Sequence, residues 1–152
     1  DSILQGDGRG SKYLTVPAGG SLHPASKDTV DKKMHYVYQD GKTVFKFAVK
    51  NMADVSKRIL ERNQLTGDDI KLFIPHQANQ RIIDAAAKRC GLADEKVFIN
   101  INRYGNTTAG TIPIALDEAV ESNRLKKDDI LLLAAFGGGF TWGSMLIQWS
   151  NK

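Results

Sequence analysis

The sequence is poor in the features that mark secreted, membrane-spanning and metal-binding proteins. Cysteine occurs once, at Cys90, which excludes an internal disulfide and is typical of a reducing compartment such as the cytoplasm. No apolar run reaches the roughly 18 residues that a membrane-spanning helix needs. Residues 1–8 also lack the basic and apolar regions of a signal peptide. The three histidines, His23, His35 and His76, are far apart in the sequence, so we expect no metal site.

The remaining composition is that of an ordinary globular domain. Hydrophobic residues make up 41% and charged residues 25% of the 152 residues, which fits one domain with one core and excludes two ordinary domains. The chain lacks a starting Met, so we expect a fragment or a processed piece. The formal net charge of +4 is compatible with an anionic partner and also with an ordinary solvated surface, and it leaves both open.

The apolar pattern predicts an irregular N-terminal segment followed by alternating helices and strands. Residues 1–40 are rich in Gly, Ser, Asp and Pro, and we expect only short extended pieces there, at 13–16 and 34–38. Helical spacing of apolar residues predicts helices over 43–62, 80–90 and 111–122. Short apolar runs predict strands at 72–74, 97–99, 130–136 and 144–149. This order is typical of an α/β fold with a mixed sheet.

Two details of the pattern bear on the arrangement of the sheet. The run at 130–136 is apolar on both faces, as a central strand covered by helices would be. The connection from Gly137 to Gly143 is short enough for an antiparallel hairpin with the last strand. Gly91 stands where the C-terminal cap of the second helix belongs.

The segment Pro75-His76-Gln77-Ala78-Asn79 lies directly between a predicted buried strand and a predicted helix. Ligands of open α/β sheets bind at the carboxyl ends of strands, and a histidine there can donate a hydrogen bond or move a proton. His76 is therefore a candidate catalytic residue. The alternative is that it only caps the following helix, and the sequence position alone does not separate the two.

Two further segments depart from an ordinary core pattern. In Tyr104–Gly110, the side-chain amide of Asn106 could serve as an oxyanion donor, or the Asn and Gly residues could serve only a turn with positive φ. In 136–143, three successive glycines would let backbone amides approach a ligand, or would form only the corner of a hairpin. Neither a phosphate-binding loop nor a dinucleotide fingerprint is present. Cys90 is interpreted as structural, because no base partner is implied nearby.

Three segments, taken in combination and in this order, resemble the C-terminal half of β-ketoacyl-acyl carrier protein synthase III. They are Pro75–Asn79, Gly105–Thr107 and 136–143. The resemblance covers about residues 41–149. It implies a thiolase-like fold, built from two similar α/β halves and normally assembled as a homodimer. This chain would be the C-terminal half, with a mixed five-stranded sheet and covering helices. Residues 1–40 would join the two halves and residues 41–152 would form the half-domain.

The resemblance also implies a role for each residue of the candidate site. His76 stands at the family's catalytic histidine and Asn106 at its catalytic asparagine, whereas the nucleophilic Cys belongs to the N-terminal half and is absent here. The backbone N–H of Gly138 would bind the acyl thioester oxygen, and Phe136 would lie beside the active site. Ala78 and Asn79 resemble positions that line a coenzyme A or pantetheine channel.

A basic surface for the acidic acyl carrier protein is implied at Lys46, Arg81, Lys88 and Arg89. Arg81 and Lys88 are seven residues apart on one predicted helix and therefore share a face. A solvated helix face is the alternative interpretation.

The implied reaction is the decarboxylative condensation of acyl-coenzyme A with malonyl-acyl carrier protein, which initiates fatty acid biosynthesis and needs no cofactor. A non-catalytic fragment or split subunit, and a relative with another acyltransferase or polyketide specificity, remain alternatives. We expect this chain alone to be inactive and to expose an apolar surface. A nucleic-acid role is disfavoured, because the sequence has no helix-turn-helix, finger or aromatic-basic stacking motif.

Overall fold

The computed structural model describes residues 1–150, and this part of the chain has a mixed α/β architecture. The strands are β1 (Ser2–Gly6), β2 (Leu14–Thr15), β3 (Tyr38–Gln39), β4 (Leu72–Pro75), β5 (Ile130–Gly137) and β6 (Thr141–Gln148). The α-helices are α1 (Lys27–Asp31), α2 (Gly41–Arg62), α3 (Gln80–Arg89), α4 (Ile101–Tyr104) and α5 (Thr111–Glu121). None of the helices in this part of the chain is long and apolar enough to cross a membrane. The last two residues of the predicted half-domain, 151 and 152, lie outside the described residues.

The main sheet is mixed and has the strand order β1-β6-β5-β4. β4 and β5 are parallel, whereas β6 is antiparallel to both of its neighbours, β5 and β1. The predicted hairpin between the last two strands is therefore confirmed. β2 and β3 form a separate two-stranded antiparallel sheet close to the two places where extended pieces were expected.

Within residues 1–150 the main sheet has four strands, and the prediction of a fifth strand at 97–99 is wrong. Val97 makes only a single parallel bridge to Phe73. The reason is that the next backbone groups bond to a side chain instead of a strand: the carbonyl of Phe98 and the N–H groups of Asn100 and Ile101 all bond to Gln77. Conversely, Ser2–Gly6, in the segment expected to be irregular, pairs along β6 as an edge strand.

Helices cover both faces of the main sheet, which explains why β5 is apolar throughout. Leu131 and Leu132 are adjacent in β5 and both are fully buried. Leu132 packs in the layer formed with α2 and α3, whereas Leu131 packs in the layer formed with α5. Because side chains alternate across a strand, a strand between two helix layers needs apolar residues at every position.

The ends of the two long helices follow the capping rules. The side chain of Asp40 accepts a hydrogen bond from the N–H of Thr43 at 3.0 Å and begins α2. Gly91 follows α3 with φ of 67°, and the N–H of Leu92 bonds to the carbonyl of Ala87 at 3.0 Å. That pair of features is the Schellman motif, so the predicted cap at Gly91 is confirmed.

Two buried serines in the α2–sheet layer are expected to respond oppositely to substitution by Ala. Ser56 is fully buried and its hydroxyl has no hydrogen-bond partner within residues 1–150. Ser56→Ala should therefore raise the free energy of unfolding by about 1 kcal/mol, because an unpaired buried hydroxyl is removed. Ser144 is also buried but donates to the carbonyl of Val55 at 3.0 Å, so Ser144→Ala should lower it by about 1 kcal/mol. Urea denaturation measures both changes in the free energy of unfolding. If both substitutions changed it in the same direction, the assignment of Ser56 as unpaired and Ser144 as paired would be contradicted.

Candidate active site

A cleft of about 1470 Å³ opens at the carboxyl ends of β4 and β5. This is the edge at which open α/β sheets bind ligands. The two loop segments singled out in the sequence after β4 and before α5 meet in it, together with the glycine turn between β5 and β6. The predicted site residues that line it are His76, Ala78, Asn79, Arg81, Asn106, Phe136 and Gly138.

His76 is held at the end of β4 with one ring nitrogen already occupied. Its backbone N–H bonds to the carbonyl of Ala134 at 2.8 Å, so the parallel ladder of β4 and β5 extends to this residue. Its Nδ1 lies 2.6 Å from the hydroxyl oxygen of Thr111. The ring is half-buried, and this burial lowers the pKa of His76 below its ordinary value, so the imidazole is neutral near pH 7. Nε2 is therefore the nitrogen left for a ligand.

The helix-cap alternative for His76 is excluded by the position of Asn79. The side-chain oxygen of Asn79 accepts a hydrogen bond from the N–H of Arg81 at 3.0 Å and caps α3. Asn79 also lines the cleft beside Ala78, so it contributes both to the start of the helix and to the wall of the cleft.

Asn106 presents its amide in a fixed orientation. Its side-chain oxygen accepts a hydrogen bond from the N–H of Thr108 at 2.9 Å, which leaves the Nδ2 amide group to donate. Positive φ angles fall at Gly105 (65°) and Thr108 (53°) and not at Asn106 itself. The turn therefore has the backbone shape that Gly and Asn suggested, and it also aligns a hydrogen-bond donor.

The glycine turn forms one wall of the cleft, and aromatic rings pack against one another beside it. Gly138 lies between β5 and β6, and Gly139 has φ of 136°, a conformation that favours glycine. The centre of the Phe136 ring lies 4.9 Å from the ring centre of Phe140 and 6.4 Å from that of Trp142. Phe136 is 8% exposed, so it contributes mostly to the packed floor beneath the cleft.

The four predicted basic residues divide into two groups. Arg81 lines the cleft with its guanidinium 4.7 Å from the ring centre of Phe45, and Lys46 and Lys88 are exposed. Arg89 instead pairs with Asp54 of α2 at 2.7 Å. Its charge is therefore partly neutralised within the chain and is less available to a partner.

The sequence interpretation gave no role to three residues that contribute to the site. Lys42 is exposed at the rim of the cleft one helical turn before Lys46 and therefore on the same face. Thr111 contacts the ring of His76, and Gln77 fixes the backbone around it. For Lys42 the four-residue spacing from Lys46 could have served as a signal. The other two depend on contacts distant in sequence.

Gln77 is fully buried and uses every hydrogen-bonding position of its side chain. Its Nε2 donates to the carbonyls of Pro75 (2.9 Å) and Phe98 (3.0 Å). Its Oε1 accepts from the N–H groups of Asn100 (3.1 Å) and Ile101 (3.2 Å). One side chain thus joins the end of β4, which carries His76, to the segment that leads to Asn106.

A second polar cluster holds α4 against α5. The carboxylate of Glu118 accepts hydrogen bonds from the Asn100 amide (2.8 Å), the Arg103 guanidinium (2.6 Å) and the Tyr104 hydroxyl (2.7 Å). The bonds from Asn100 and Tyr104 lower the pKa of Glu118, so it stays ionised. Because α4 runs directly into the Asn106 turn, this cluster supports the position of that turn.

Cys90 lies outside the cleft and is a poor nucleophile. It is buried at the end of α3, and burial raises the pKa of its thiol to about 11. Since the thiolate is the reactive form, this environment agrees with the structural interpretation of the residue.

Comparison with solved structures shows a thiolase-like α/β fold of the condensing-enzyme class. The 3-oxoacyl-(acyl carrier protein) synthase III of Pseudomonas aeruginosa PAO1 matches 99% of this chain with a TM-score of 0.87 and 35% identity. The priming β-ketosynthase of the R1128 polyketide pathway matches 99% of it with a TM-score of 0.82 and 29% identity. The chain covers 45% and 44% of those proteins. The predicted fold class is confirmed.

Residues 60–149, more than half of the chain, match the family described as 3-oxoacyl-[acyl-carrier-protein (ACP)] synthase III C terminal, and the chain belongs to this family. The β-ketoacyl-[acyl-carrier-protein] synthase III of Koribacter versatilis (strain Ellin345) is 55% identical over 150 residues. That alignment covers 99% of this chain and 45% of the relative, so the chain spans a little under half the length of the curated relatives it matches.

Proposed function

We propose that this chain is the C-terminal part of an enzyme that condenses acyl-coenzyme A with malonyl-acyl carrier protein to give 3-ketoacyl-acyl carrier protein, the initiating step of fatty acid biosynthesis. The observation that carries the proposal is the convergence of His76 and Asn106 in one cleft, each with its other polar atom already bonded. Family membership supports the same reaction.

The two side chains match the charge that develops in the reaction. An acyl group first passes from the sulfur of coenzyme A to an enzyme thiol, which releases coenzyme A. Malonyl-acyl carrier protein then loses carbon dioxide, and its thioester becomes an enolate whose carbon attacks the acyl thioester and frees the thiol. Nε2 of His76 and Nδ2 of Asn106 would donate to the enolate oxygen. Preorganised donors of this kind contribute on the order of 100- to 1000-fold each.

The thiol would come from an N-terminal half that resembles this one. Cys90 is unsuited to the role because it is buried and protonated. Large apolar side chains such as Leu4 and Val37 are exposed at the cleft, where a second half would cover them. We expect the complete enzyme to be a cytoplasmic homodimer and this chain alone to form no product.

A basic rim would receive the acidic acyl carrier protein. This rim consists of Lys42 and Lys46 on α2 and Arg81 on the adjacent surface of α3, near or at the cleft. Electrostatic steering by such a rim raises association rates about 10-fold or more. Arg81→Glu should therefore raise KM for malonyl-acyl carrier protein at least about tenfold at low salt, with little change in KM for acyl-coenzyme A.

Lys127→Glu is the matched control for that prediction. Lys127 is exposed and precedes the N-terminal end of β5, at the opposite end of the strand from the cleft. Steady-state kinetics at two salt concentrations distinguish the variants. An equal effect of both substitutions would show that net charge, and not the rim, determines KM.

A second candidate is a related condensing enzyme that primes polyketide synthesis, which the likeness to the R1128 priming ketosynthase favours. A non-catalytic half that only pairs with a partner is the remaining alternative. The test is mass spectrometry of the products that the complete enzyme makes from acyl-coenzyme A and malonyl-acyl carrier protein. 3-Ketoacyl-acyl carrier protein supports the proposal, and a protein that takes up the acyl group without condensing it contradicts the proposal.

A further inference from the structure

The hydroxyl group of Thr111 is placed to control which nitrogen of His76 carries the proton. Thr111 is the first residue of α5 and is 2% exposed. Its oxygen lies 2.6 Å from Nδ1 of His76 and 3.1 Å from the carbonyl oxygen of Thr108. A hydroxyl has a single proton and two acceptor lone pairs, so it can donate to one of these neighbours only.

Two proton arrangements follow, and they give His76 opposite chemistry. If the hydroxyl donates to Thr108, the neutral imidazole must carry its proton on Nδ1, and Nε2 in the cleft can only accept a hydrogen bond. If the hydroxyl donates to Nδ1, the ring proton is on Nε2 and can be donated into the cleft.

The two distances favour the second arrangement. Hydrogen bonds from a hydroxyl to an oxygen are typically about 2.5–3.0 Å long. The 3.1 Å contact is therefore long for the hydroxyl donating to Thr108, whereas Nδ1 of His76, at 2.6 Å, is the nearer acceptor. Burial of the ring also favours the neutral imidazole, whose Nδ1 can accept.

On the basis of the proposed function, we propose that Thr111 is a positioning residue. Its hydroxyl donates to Nδ1 of His76 and so holds the imidazole as the Nε2–H tautomer, in the ring orientation needed to donate to the enolate. Thr111 also lies close in the chain to the residue that orients the second donor. The N–H of Thr108, three residues before Thr111, holds the Asn106 side chain. One short turn before α5 therefore positions both donors.

Three variants separate the hydroxyl group from the bulk of the side chain. Thr111→Val keeps the shape and removes the hydroxyl, and it should slow decarboxylation about 100-fold, since a small misplacement of a catalytic group has this effect. KM for malonyl-acyl carrier protein and acyl transfer from coenzyme A should stay unchanged. Thr111→Ser restores the hydroxyl and should restore the rate. Thr107→Val, in the same turn but without a side-chain hydrogen bond at the helix cap, is the control.

A spectroscopic measurement tests the tautomer without any turnover. In the complete enzyme labelled with ¹⁵N-histidine, the two-bond ¹H–¹⁵N correlations of His76, assigned by their loss in His76→Ala, should show the proton on Nε2. A proton on Nδ1 would overturn the inference, and so would a Thr111→Val enzyme as fast as the wild type or a Thr111→Ser enzyme as slow as Thr111→Val. If the wild-type enzyme makes no condensation product, the proposed function fails, and the tautomer still reports on Thr111.

Discussion

His76→Ala in the complete enzyme is expected to slow decarboxylation of malonyl-acyl carrier protein by about 100- to 1000-fold. The reason is the loss of one of the two donors that would face the enolate oxygen, with Asn106 left to act alone. Acyl transfer from coenzyme A should continue, because in the proposed mechanism it would depend on the thiol of the other half and on the glycine turn. A single-turnover assay that begins from the acylated enzyme measures the affected step directly.

His23→Ala is the matched control for that experiment. His23 is exposed in the segment between β2 and α1 and does not line the cleft. It should leave both half-reactions at the wild-type rate. If His76→Ala retained wild-type decarboxylation, the enolate would have to be stabilised elsewhere, and the assignment of the cleft as the active site would be wrong.

Gln77→Ala is expected to lower the free energy of unfolding by at least about 3 kcal/mol. The substitution leaves two buried carbonyl groups, one buried N–H group and one partly buried N–H group without their partner, and the loss at each buried group costs about 1–3 kcal/mol. It also disconnects the end of β4 from the segment before α4. Urea denaturation followed by circular dichroism gives the change in unfolding free energy.

Gln80→Ala provides the comparison with an exposed glutamine. Gln80 is the first residue of α3, and among residues 1–150 its side chain bonds only to the exposed carboxylate of Asp84, at 2.7 Å. A change within about 0.5 kcal/mol is expected there, as for most surface substitutions. Equal destabilisation by the two substitutions would show that the buried hydrogen bonds of Gln77 stabilise the fold no more than the exposed hydrogen bond of Gln80 does.

Much of the fold was predictable because it depends on neighbours in the sequence. The helical spacing of apolar residues predicted α2, α3 and α5 to within two residues, and the run at 130–136 predicted β5 and its two covered faces. The edge strand β1 was missed because Ser2–Gly6 has one buried residue, Ile3, and is held by pairing with β6 at the far end of the chain. An edge strand with four exposed residues has too little apolar pattern to be recognised locally.

The candidate site was also predictable from the sequence only in part. The motif residues His76, Asn106 and Gly138 were identified from the sequence, and the structure places all of them in one cleft. Their catalytic roles remain proposals. Arg89 was grouped with the carrier-binding residues, but its pairing with Asp54 comes from the packing of α3 on α2, which residue spacing along α3 does not reveal.

The sequence by itself determined the α/β class, the order of the long elements and the segments in which chemistry could occur, since each depends on residues within one or two turns of one another. Tertiary structure alone decided the hydrogen bonds that orient those segments. Thr111 reaches His76, and Gln77 reaches Phe98 and Asn100, across stretches of chain that contain a complete helix. Such contacts form because buried polar groups must find partners wherever the packed chain brings them.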